Sequence, residues 1–381
     1  MAKNKVAIIS SYYQNWNMGG LLQAYALNKT VSKLGREAEH IRLCYAEPAE
    51  HGSVSKKIRT VLTRHRLSSV LIERFFCFVQ HETKNRRQFH RFHDDYIAAS
   101  SGCCDAVTVN KLNKHYDAFV TGSDQIWNPQ FWSDRLLGVF GLAFAGKKKR
   151  TVSYAASIGS EQSAVGKEEV FKEILDGLDF ISVREDAAKK FLQPLTDKEV
   201  KVVLDPTLLM ERKEWEVITA KPQACEPYIF AYFLEEQEPH TKQLQHIAEH
   251  KKLPVHCFST IDCYVRPEAD KCVKGIGPRE FISYIKNADV IVTNSFHGMV
   301  FSVIFNKPFW VLKRYKDSDK DSANNRITDF LKGLGLEDRL IEDGVMPTDE
   351  ELTSPIDYER VNRILADKRA DSLEWLMNAL E

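Results

Sequence analysis

Short apolar runs alternate with longer amphipathic stretches along most of this chain. Residues 6–10 form the first apolar run, and apolar residues recur at helical spacing over residues 21–33. Because β-branched runs predict buried strands and a 3.6-residue period predicts helices, the alternation indicates parallel sheets with helices on both faces. Further strands are predicted in the first half at residues 39–43, 117–121, 151–156, 180–183 and 200–204.

A polar stretch with three prolines interrupts this alternation at residues 206–227, and we predict that it links two domains. Further strands are predicted after it at residues 228–234, 255–259, 290–293 and 309–313, and a closing helix at 358–380. The pattern therefore predicts an α/β protein with two Rossmann-like domains that face each other across a cleft. The expected divisions are 1–205 for the first domain, 206–227 for the linker, 228–345 for the second domain and 346–381 for the closing segment.

Composition narrows the function classes. The 381 residues include 53 basic and 53 acidic side chains, so no net positive charge indicates a nucleic-acid partner. The first apolar run is too short for the core of a signal peptide, and no segment has the roughly 20 apolar residues of a membrane span. The eight cysteines are scattered without paired metal-ligand spacing. We therefore expect a cytoplasmic protein with free thiols and no metal site.

Residues 56–92 differ from the rest because they hold ten Lys and Arg residues and only two acids, around an apolar, aromatic centre at 70–79. A basic helix that carries aromatic residues is typical of segments that lie on an anionic membrane surface. The alternative is an ordinary helical insertion whose charges face water. The segment therefore predicts a helical insertion in the first domain, with a possible peripheral contact to the inner membrane surface.

Residues 293–298, Thr-Asn-Ser-Phe-His-Gly, directly follow the apolar run 290–292. A buried parallel strand that ends in small polar residues places them at the sheet edge where open α/β sheets bind ligands. His297, beside a hydroxyl and a helix N-terminus, is a candidate proton donor to a bound anion. The alternative is that His297 caps the helix or satisfies buried carbonyl groups.

Two other predicted strands end in the same way. Asn17, Gly19 and Gly20 follow the first strand, where glycines permit close backbone approach to an anion and the next helix offers free N–H groups. A tight turn that needs glycine is the alternative. At residues 122–128, Gly-Ser-Asp-Gln-Ile-Trp-Asn, the aromatic and amide groups suit a sugar ring, and Asp124 is a candidate base. The alternative there is a capped helix start with Trp127 in the core.

Arg184 stands where the predicted strand 180–183 gives way to a helix. Arginine binds carboxylates and phosphates through two parallel hydrogen bonds, so Arg184 is a candidate anion ligand. A salt bridge to a neighbouring acid is the alternative.

Taken together, these segments resemble the polysaccharide pyruvyl transferase family. Gly-Ser-Asp-Gln-x-Trp-Asn at 122–128 and Ser-Phe-His-Gly at 295–298 are specific in combination. The resemblance covers most of the chain, and its pieces occur in order at residues 17–27, 116–129, 153–159, 182–185, 204–207, 294–298, 325–327 and 334–336.

The resemblance implies the GT-B fold of two-domain, metal-independent glycosyltransferases, with the acceptor on the first domain and the donor on the second. It implies phosphoenolpyruvate as donor, no cofactor, and a pyruvate ketal on a sugar of an exopolysaccharide, a capsule or a lipid-linked glycan precursor. The implied catalytic residues are His297, Arg184 and Asp124. The implied donor-binding residues are Asn294, Ser295, Phe296, Gly298 and Arg326. The implied anion- or acceptor-binding residues are Asn17, Gly19, Gly20, Gly122, Ser123, Gln125, Trp127 and Asn128.

The chain departs from the family pattern at one position. Relatives often have Arg-Leu-His where this chain has Ser295-Phe296-His297. The missing positive charge leaves two interpretations: Arg326 or Arg314 supplies it, or the donor is different. A nucleotide-sugar glycosyltransferase of the same fold and a non-catalytic glycan- or membrane-binding homologue are the competing functions.

Overall fold

The computed structural model describes residues 5–13, 15–44, 85–222, 224, 226–234, 238–259, 270–315 and 324–381. Two all-parallel sheets organise them, which confirms the prediction of an α/β protein with two Rossmann-like domains. The first sheet has seven strands in the order β3-β2-β1-β4-β5-β6-β7. Its strands are β1 (Lys5–Ile9), β2 (Glu37–Leu43), β3 (Ala99–Cys104), β4 (Ala118–Asp124), β5 (Arg150–Ala156), β6 (Phe180–Val183) and β7 (Val200–Val202).

The second sheet has six strands in the order β10-β9-β8-β11-β12-β13. Its strands are β8 (Ile229–Phe233), β9 (Val255–Ser259), β10 (Lys271–Cys272), β11 (Val290–Thr293), β12 (Phe309–Leu312) and β13 (Leu340–Ile341). In both sheets the strand order reverses beside the first strand of the domain. Such a reversal opens a crevice at the carboxyl ends of the strands, where α/β proteins bind ligands.

Helices cover both sheets. They are α1 (Met18–Lys33), α2 (85–96), α3 (Asp134–Phe140), α4 (Glu161–Ala164), α5 (Glu168–Asp176), α6 (Asp186–Leu192), α7 (Pro206–Leu209), α8 (Arg212–Ile218), α9 (Glu238–Lys251), α10 (Pro278–Asn287), α11 (Phe296–Ile304), α12 (Asn325–Leu334), α13 (Asp349–Thr353) and α14 (Tyr358–Leu380). No helix in the described part of the chain is long and apolar enough to cross a membrane.

One buried cluster joins the two domains. Met18 and Leu22 of α1 belong to the same apolar cluster as Phe281 of α10 and Met299 of α11. Burial of such side chains stabilises the contact between domains, because apolar surface is removed from water. The contact also brings the N-terminus of α1 against the N-terminus of α11, which carries His297.

The segment between the two sheets and the last helix also connect the domains. Residues 206–227 include the helices α7 and α8, whose Leu208 and Trp215 are fully buried. Helix α14 packs Val361 and Leu365 in the cluster that joins the two domains, and Leu376 against the first sheet.

Of the basic region 56–92, residues 56–84 lie outside the described residues. Residues 85–92 belong to α2, which buries Phe89 and Phe92 in the cluster that also contains the α1 residues. The prediction of a helix is therefore confirmed only for the end of this region. The described cysteines, Cys44, Cys103, Cys104, Cys257 and Cys272, are free thiols, as predicted.

Candidate active site

A cavity of about 480 Å³ lies between the two domains at the carboxyl ends of their strands. We call it the central cavity. The loops after β1 and β4 supply its wall on the first domain, and the segments after β11 and β12 supply the opposite wall. Its lining includes the predicted site residues Asn17, Asp124, Gln125, Asn294, Ser295, Phe296, His297 and Arg326.

His297 is the second residue of α11 and lines the central cavity. Ser295 is the N-cap of this helix, and its hydroxyl accepts a hydrogen bond from the Gly298 N–H at 3.4 Å. A cap of this kind satisfies one of the free N–H groups of the first turn and fixes where the helix begins. The imidazole is nearly buried, and its Nε2 makes no hydrogen bond with any described residue. The nearest carboxylate oxygen is Asp205 Oδ2 at 3.7 Å.

Asp205 is a fully buried carboxylate that connects the predicted catalytic residues. It accepts hydrogen bonds from Arg184 Nη1 at 2.8 Å and from the Ser123 hydroxyl at 3.1 Å. The Thr207 N–H and hydroxyl donate to its other oxygen at 2.9 and 2.7 Å. Burial alone would raise the pKa of Asp205, but His297, Arg184 and Thr207 together hold it well below its usual range. A permanent negative charge therefore faces the His297 ring.

Arg184 is not part of the lining of the central cavity, and its predicted role as an anion ligand stays a prediction. Its guanidinium is buried between Asp205 at 2.8 Å, Glu185 at 3.6 Å and Asp124 at 3.7 Å, and it stacks on the Phe296 ring at 4.6 Å. Burial would lower the pKa of Arg184, but the three carboxylates outweigh it and raise the pKa. The salt-bridge alternative is thus the observed one, and Arg184 acts as the counterion of the buried acids.

Two other arginines do line the central cavity. Arg314 follows β12, and Arg326 is the second residue of α12. Burial and the nearby charge of Arg184 lower the pKa of Arg326 to about 10, which leaves it charged at neutral pH. Both cations face the cavity from the same wall as His297. Arg314 and Arg326 thus line the same cavity as Ser295.

Gly19 allows His297 to pack closely against α1. A Cβ atom at this position would lie 1.9 Å from His297 Nδ1, far inside van der Waals contact. The glycine at the N-terminus of α1 therefore allows the histidine from the other domain to pack against the helix. Asn17 caps α1 by accepting a hydrogen bond from the Gly20 N–H at 3.1 Å, and it also lines the central cavity.

Only some residues at the end of β4 and just after it line the central cavity. Asp124 lines the cavity with a backbone φ of 64°, a left-handed conformation, and Gln125 lies beside it. Gly122 has a φ of 154°, and a Cβ there would lie 1.9 Å from the Tyr154 carbonyl oxygen. Ser123 is buried against Asp205. These residues hold Asp124 at the cavity wall.

Trp127 does not line the central cavity, and the prediction that its ring stacks on a sugar is wrong. The side chain is fully buried, and its indole N–H donates to the Phe140 carbonyl at 3.2 Å. Asn128 is also buried and donates to Gln125 Oε1 at 2.7 Å. The cavity is instead lined by the aromatic side chains of Phe296 and of four residues that were not predicted, Trp16, Phe131, Trp132 and Tyr315.

Asn294 and Gly298 have mainly structural contacts. Asn294 accepts a hydrogen bond from the Leu234 N–H at 2.8 Å, which ties the loop after β11 to the end of β8. A Cβ at Gly298 would lie 2.5 Å from Thr293 Oγ1, so the glycine lets α11 pack closely on β11. Gly298 is not part of the cavity lining. Its contribution is to the position of His297, one residue earlier.

Comparison with solved structures supports the fold. A putative UDP-N-acetylglucosamine 2-epimerase from Listeria monocytogenes matches with a TM-score of 0.51 and 11% identity, over 96% of each chain. The UDP-GlcNAc 2-epimerase from Methanocaldococcus jannaschii has a TM-score of 0.50 and 12% identity, over 96% of this chain and 94% of that one. S. aureus MnaA, solved with UDP, has a TM-score of 0.50 and 10% identity, over 97% and 90%. These similarities establish the GT-B fold.

The sequence comparisons address the family. A search of curated proteins gives no match to the chain. The family model described as polysaccharide pyruvyl transferase matches residues 17–314, which include the glycines of α1, the segment after β4 and His297. This match extends over most of the chain, and the protein is therefore a transferase that belongs to the polysaccharide pyruvyl transferase family.

Proposed function

We propose that this enzyme transfers the pyruvate group of phosphoenolpyruvate to two hydroxyls of a sugar, forming a ketal and releasing phosphate. The acceptor would be a sugar of a polysaccharide or of a lipid-linked glycan precursor. The observation that carries the proposal is the convergence of Arg314, Arg326 and His297 on one cavity between the domains. A donor with two anionic groups needs cations, and its enol carbon needs an acid.

The two arginines are the proposed ligands of the donor. Phosphoenolpyruvate carries a carboxylate and a phosphate, and guanidinium groups bind both with charge-assisted hydrogen bonds. Arg314 and Arg326 lie on the second domain, the side assigned to the donor in this family resemblance. The donor would therefore bind against the wall formed by the segments after β11 and β12, beside His297.

His297 is the proposed general acid. It would give a proton to C3 of the enol, which makes C2 electrophilic and open to attack by an acceptor hydroxyl. The Asp205 carboxylate, 3.7 Å from Nε2, would orient the ring and stabilise positive charge on it. Asp205 is thus a positioning residue, while Arg184 keeps it ionised in a buried site.

Asp124 is the proposed base for the acceptor. Its carboxylate lines the cavity across from the donor wall, where it would take the proton of the attacking hydroxyl. The new C–O bond at C2 gives a tetrahedral carbon that still carries the phosphate. Phosphate then leaves with the electrons of its C2–O bond, the second hydroxyl attacks C2 to close the ketal, and its proton passes to the deprotonated His297. The sugar ring would stack on Trp16 or Trp132, the two indole side chains that line the cavity.

A nucleotide-sugar donor is the competing candidate, because a solved structure of this fold contains UDP. That likeness has 10% identity and extends to the fold alone. The family match instead favours pyruvyl transfer.

The two donors are separated by an activity assay with purified protein. Phosphoenolpyruvate is incubated with a panel of methyl hexosides and glycan precursors, and phosphate release is followed together with the ketal methyl signal in proton NMR spectra. We expect phosphate release that requires both substrates and is lost in His297→Ala. Transfer from UDP-N-acetylglucosamine, with no phosphate from phosphoenolpyruvate, would establish the competing function.

We also propose that the enzyme works at the cytoplasmic face of the membrane, where lipid-linked precursors are found. The support is the charge pattern of residues 56–92. Each basic residue near an anionic surface contributes about 1 kcal/mol, and salt screens the effect. Flotation with anionic vesicles at low salt is the expected result, and it should disappear when Lys56, Lys57, Arg59, Arg64 and Arg66 become glutamine. Absence of flotation at low salt would leave the segment as an ordinary insertion.

A further inference from the structure

A second cavity, of about 240 Å³, adjoins the central cavity on the first domain. The two cavities share Asn15 and Trp16 in their walls. The loop after β1, the carboxyl end of β2 and the inner face of α2 form the second cavity, which we call the side cavity. It therefore lies at the acceptor side of the molecule and opens beside the groups proposed to react.

Arg42 gives the side cavity a positive charge that no carboxylate of the described residues neutralises. It stands near the end of β2 and lines the cavity, and its side chain makes no ion pair or hydrogen bond with any described residue. Its Nε is buried without a partner. The Tyr12 hydroxyl nearby is also buried and unbonded, within the described part of the chain. Buried polar groups without partners are rare in folded proteins, and each is a candidate for a ligand contact.

The positive charge of Arg42 also affects the hydroxyl groups of Tyr12 and Tyr13, which line the same cavity. Burial raises the pKa of Tyr12, and the nearby Arg42 guanidinium opposes that rise. The Cys103 thiol raises the pKa of Tyr13, to which it donates a hydrogen bond at 3.3 Å, and Arg42 again opposes the rise. Arg42, Tyr12 and Tyr13 all line the side cavity. The carboxylate at the rim, Asp94, is exposed and is bonded to His93 Nδ1 at 2.9 Å.

Aromatic rings form the walls of the side cavity. Trp16 contacts Phe89 and His90 edge to face, with ring centroids 6.0 and 5.0 Å apart. Tyr12 stacks on His93 at 5.4 Å. Aromatic walls around a few placed polar groups are typical of small-molecule sites, and a free arginine selects an anion.

We propose that the side cavity is an acceptor subsite that binds an anionic group, a phosphate or a carboxylate, carried by the sugar next to the reacting one. The subsite rests on the proposed function only in that the reacting sugar occupies the central cavity. Trp16, shared by the two cavities, would lie between the reacting sugar and its neighbour. Arg42 would bind the anion through charge-assisted hydrogen bonds, with the Tyr12 hydroxyl as a further donor.

The test measures binding to the full chain without any donor, so that failure of pyruvyl transfer leaves it intact. Methyl glucoside, methyl glucuronide and N-acetylglucosamine 1-phosphate are titrated while the change in tryptophan fluorescence is followed. At least one anionic sugar should bind about tenfold more tightly than methyl glucoside. Preference for the phosphate or for the carboxylate identifies which anion the subsite takes.

Substitution of single arginines shows which of the two cavities binds the anionic group. Arg42→Gln should remove the preference, while Arg42→Lys should retain part of it. Arg87→Gln is the matched control, because Arg87 is exposed on α2 and lies outside the cavity lining. Arg326→Gln tests the central cavity. A preference that survives in Arg42→Gln, one that disappears in Arg326→Gln instead, or no binding of either anionic sugar would overturn the proposal. Thermal melting of each variant verifies that it is folded.

Discussion

Replacing Gly19 with alanine should inactivate the enzyme by moving His297 without changing it. The added Cβ would lie 1.9 Å from Nδ1 and 2.4 Å from Cε1 and Cγ of the ring, whereas ordinary contacts begin at 3.4 Å. The imidazole must therefore move by about 1.5 Å to restore such a contact. A displacement of about 1 Å at a reacting group costs about 10²-fold in rate. We expect kcat to fall by at least that factor.

The effect on stability should be much smaller than the effect on rate. Overpacking costs about 1–3 kcal/mol, and part of this is offset because alanine favours a helix by about 1 kcal/mol over glycine. Steady-state kinetics with phosphoenolpyruvate and an acceptor, together with urea unfolding, separate the two quantities. In the double variant with His297→Ala, the Gly19 substitution should cause little further loss, because both changes remove the same group.

Gly138→Ala provides the matched control. Gly138 is also helical, and the nearest heavy atom to an added Cβ is Ala143 Cβ at 3.9 Å, an ordinary contact. This variant should keep full activity. If a folded Gly19→Ala enzyme kept kcat within a few-fold of the unsubstituted chain, the proposed role of His297 as proton donor would be refuted.

Three further outcomes are expected. The Asp205→Asn substitution removes the carboxylate that lies 2.8 Å from the buried Arg184 guanidinium. The free energy of unfolding, measured by urea titration, should therefore drop by about 3–5 kcal/mol. An unchanged midpoint of unfolding would contradict this expectation. The Arg326→Gln substitution should raise the KM for the donor at least about tenfold, with a smaller change in kcat, because one charge-assisted hydrogen bond contributes about 1.5–3 kcal/mol. An unchanged KM would show that Arg326 does not bind the donor. Burial lowers the pKa of His40 from 6.5 to about 4, so the unfolded chain binds the proton first and stability is lost as pH falls below 6.5. The loss should reach about 3 kcal/mol near pH 4 and be smaller in His40→Gln, as thermal unfolding at several pH values would measure.

The strands were predictable where they are buried on both faces. The runs at 180–183, 255–259 and 290–293 have the predicted bounds, because residues that are mostly apolar mark strands inside a parallel sheet. Three of the four edge strands, β3, β10 and β13, were missed, whereas the edge strand β7 was predicted at 200–204. Residues 99–104, Ala-Ser-Ser-Gly-Cys-Cys, contain no apolar run, and β10 and β13 have two residues each. Such edges pair through backbone hydrogen bonds to a neighbouring strand, which a local pattern does not reveal.

The location of the candidate site was predictable, because the carboxyl ends of parallel strands lie at one edge of the sheet and the residues that follow them come together there. His297, Asp124, Arg326 and Asn17 all follow strands or begin helices there, and all line the central cavity. The exact partners of a side chain were not predictable. Arg184 was assigned to an anion because two of the three carboxylates around it, Asp124 and Asp205, are distant from it in sequence.

Trp127 and Asp205 also show that the contacts of a side chain cannot be predicted from its local sequence. Trp127 was given a role in binding, whereas Asp205 was given none. Trp127 follows a strand end, but a loop has no period that tells whether its ring faces the core or the cavity. Asp205 belongs to the Leu-Asp-Pro-Thr segment of the family resemblance, yet no role was given to it. Its importance comes from contacts with Ser123, Arg184 and His297, which are distant in sequence.

The binding of phosphoenolpyruvate to the unsubstituted chain tests the central claim most directly. The melting temperature is measured with increasing phosphoenolpyruvate and, separately, with UDP-N-acetylglucosamine, for the unsubstituted chain and for Arg326→Gln. A ligand at 100 times its dissociation constant adds about 2.7 kcal/mol to stability. We predict that phosphoenolpyruvate raises the melting temperature, that the nucleotide sugar does not, and that Arg326→Gln weakens the response. Stabilisation by UDP-N-acetylglucosamine with none from phosphoenolpyruvate would contradict the account.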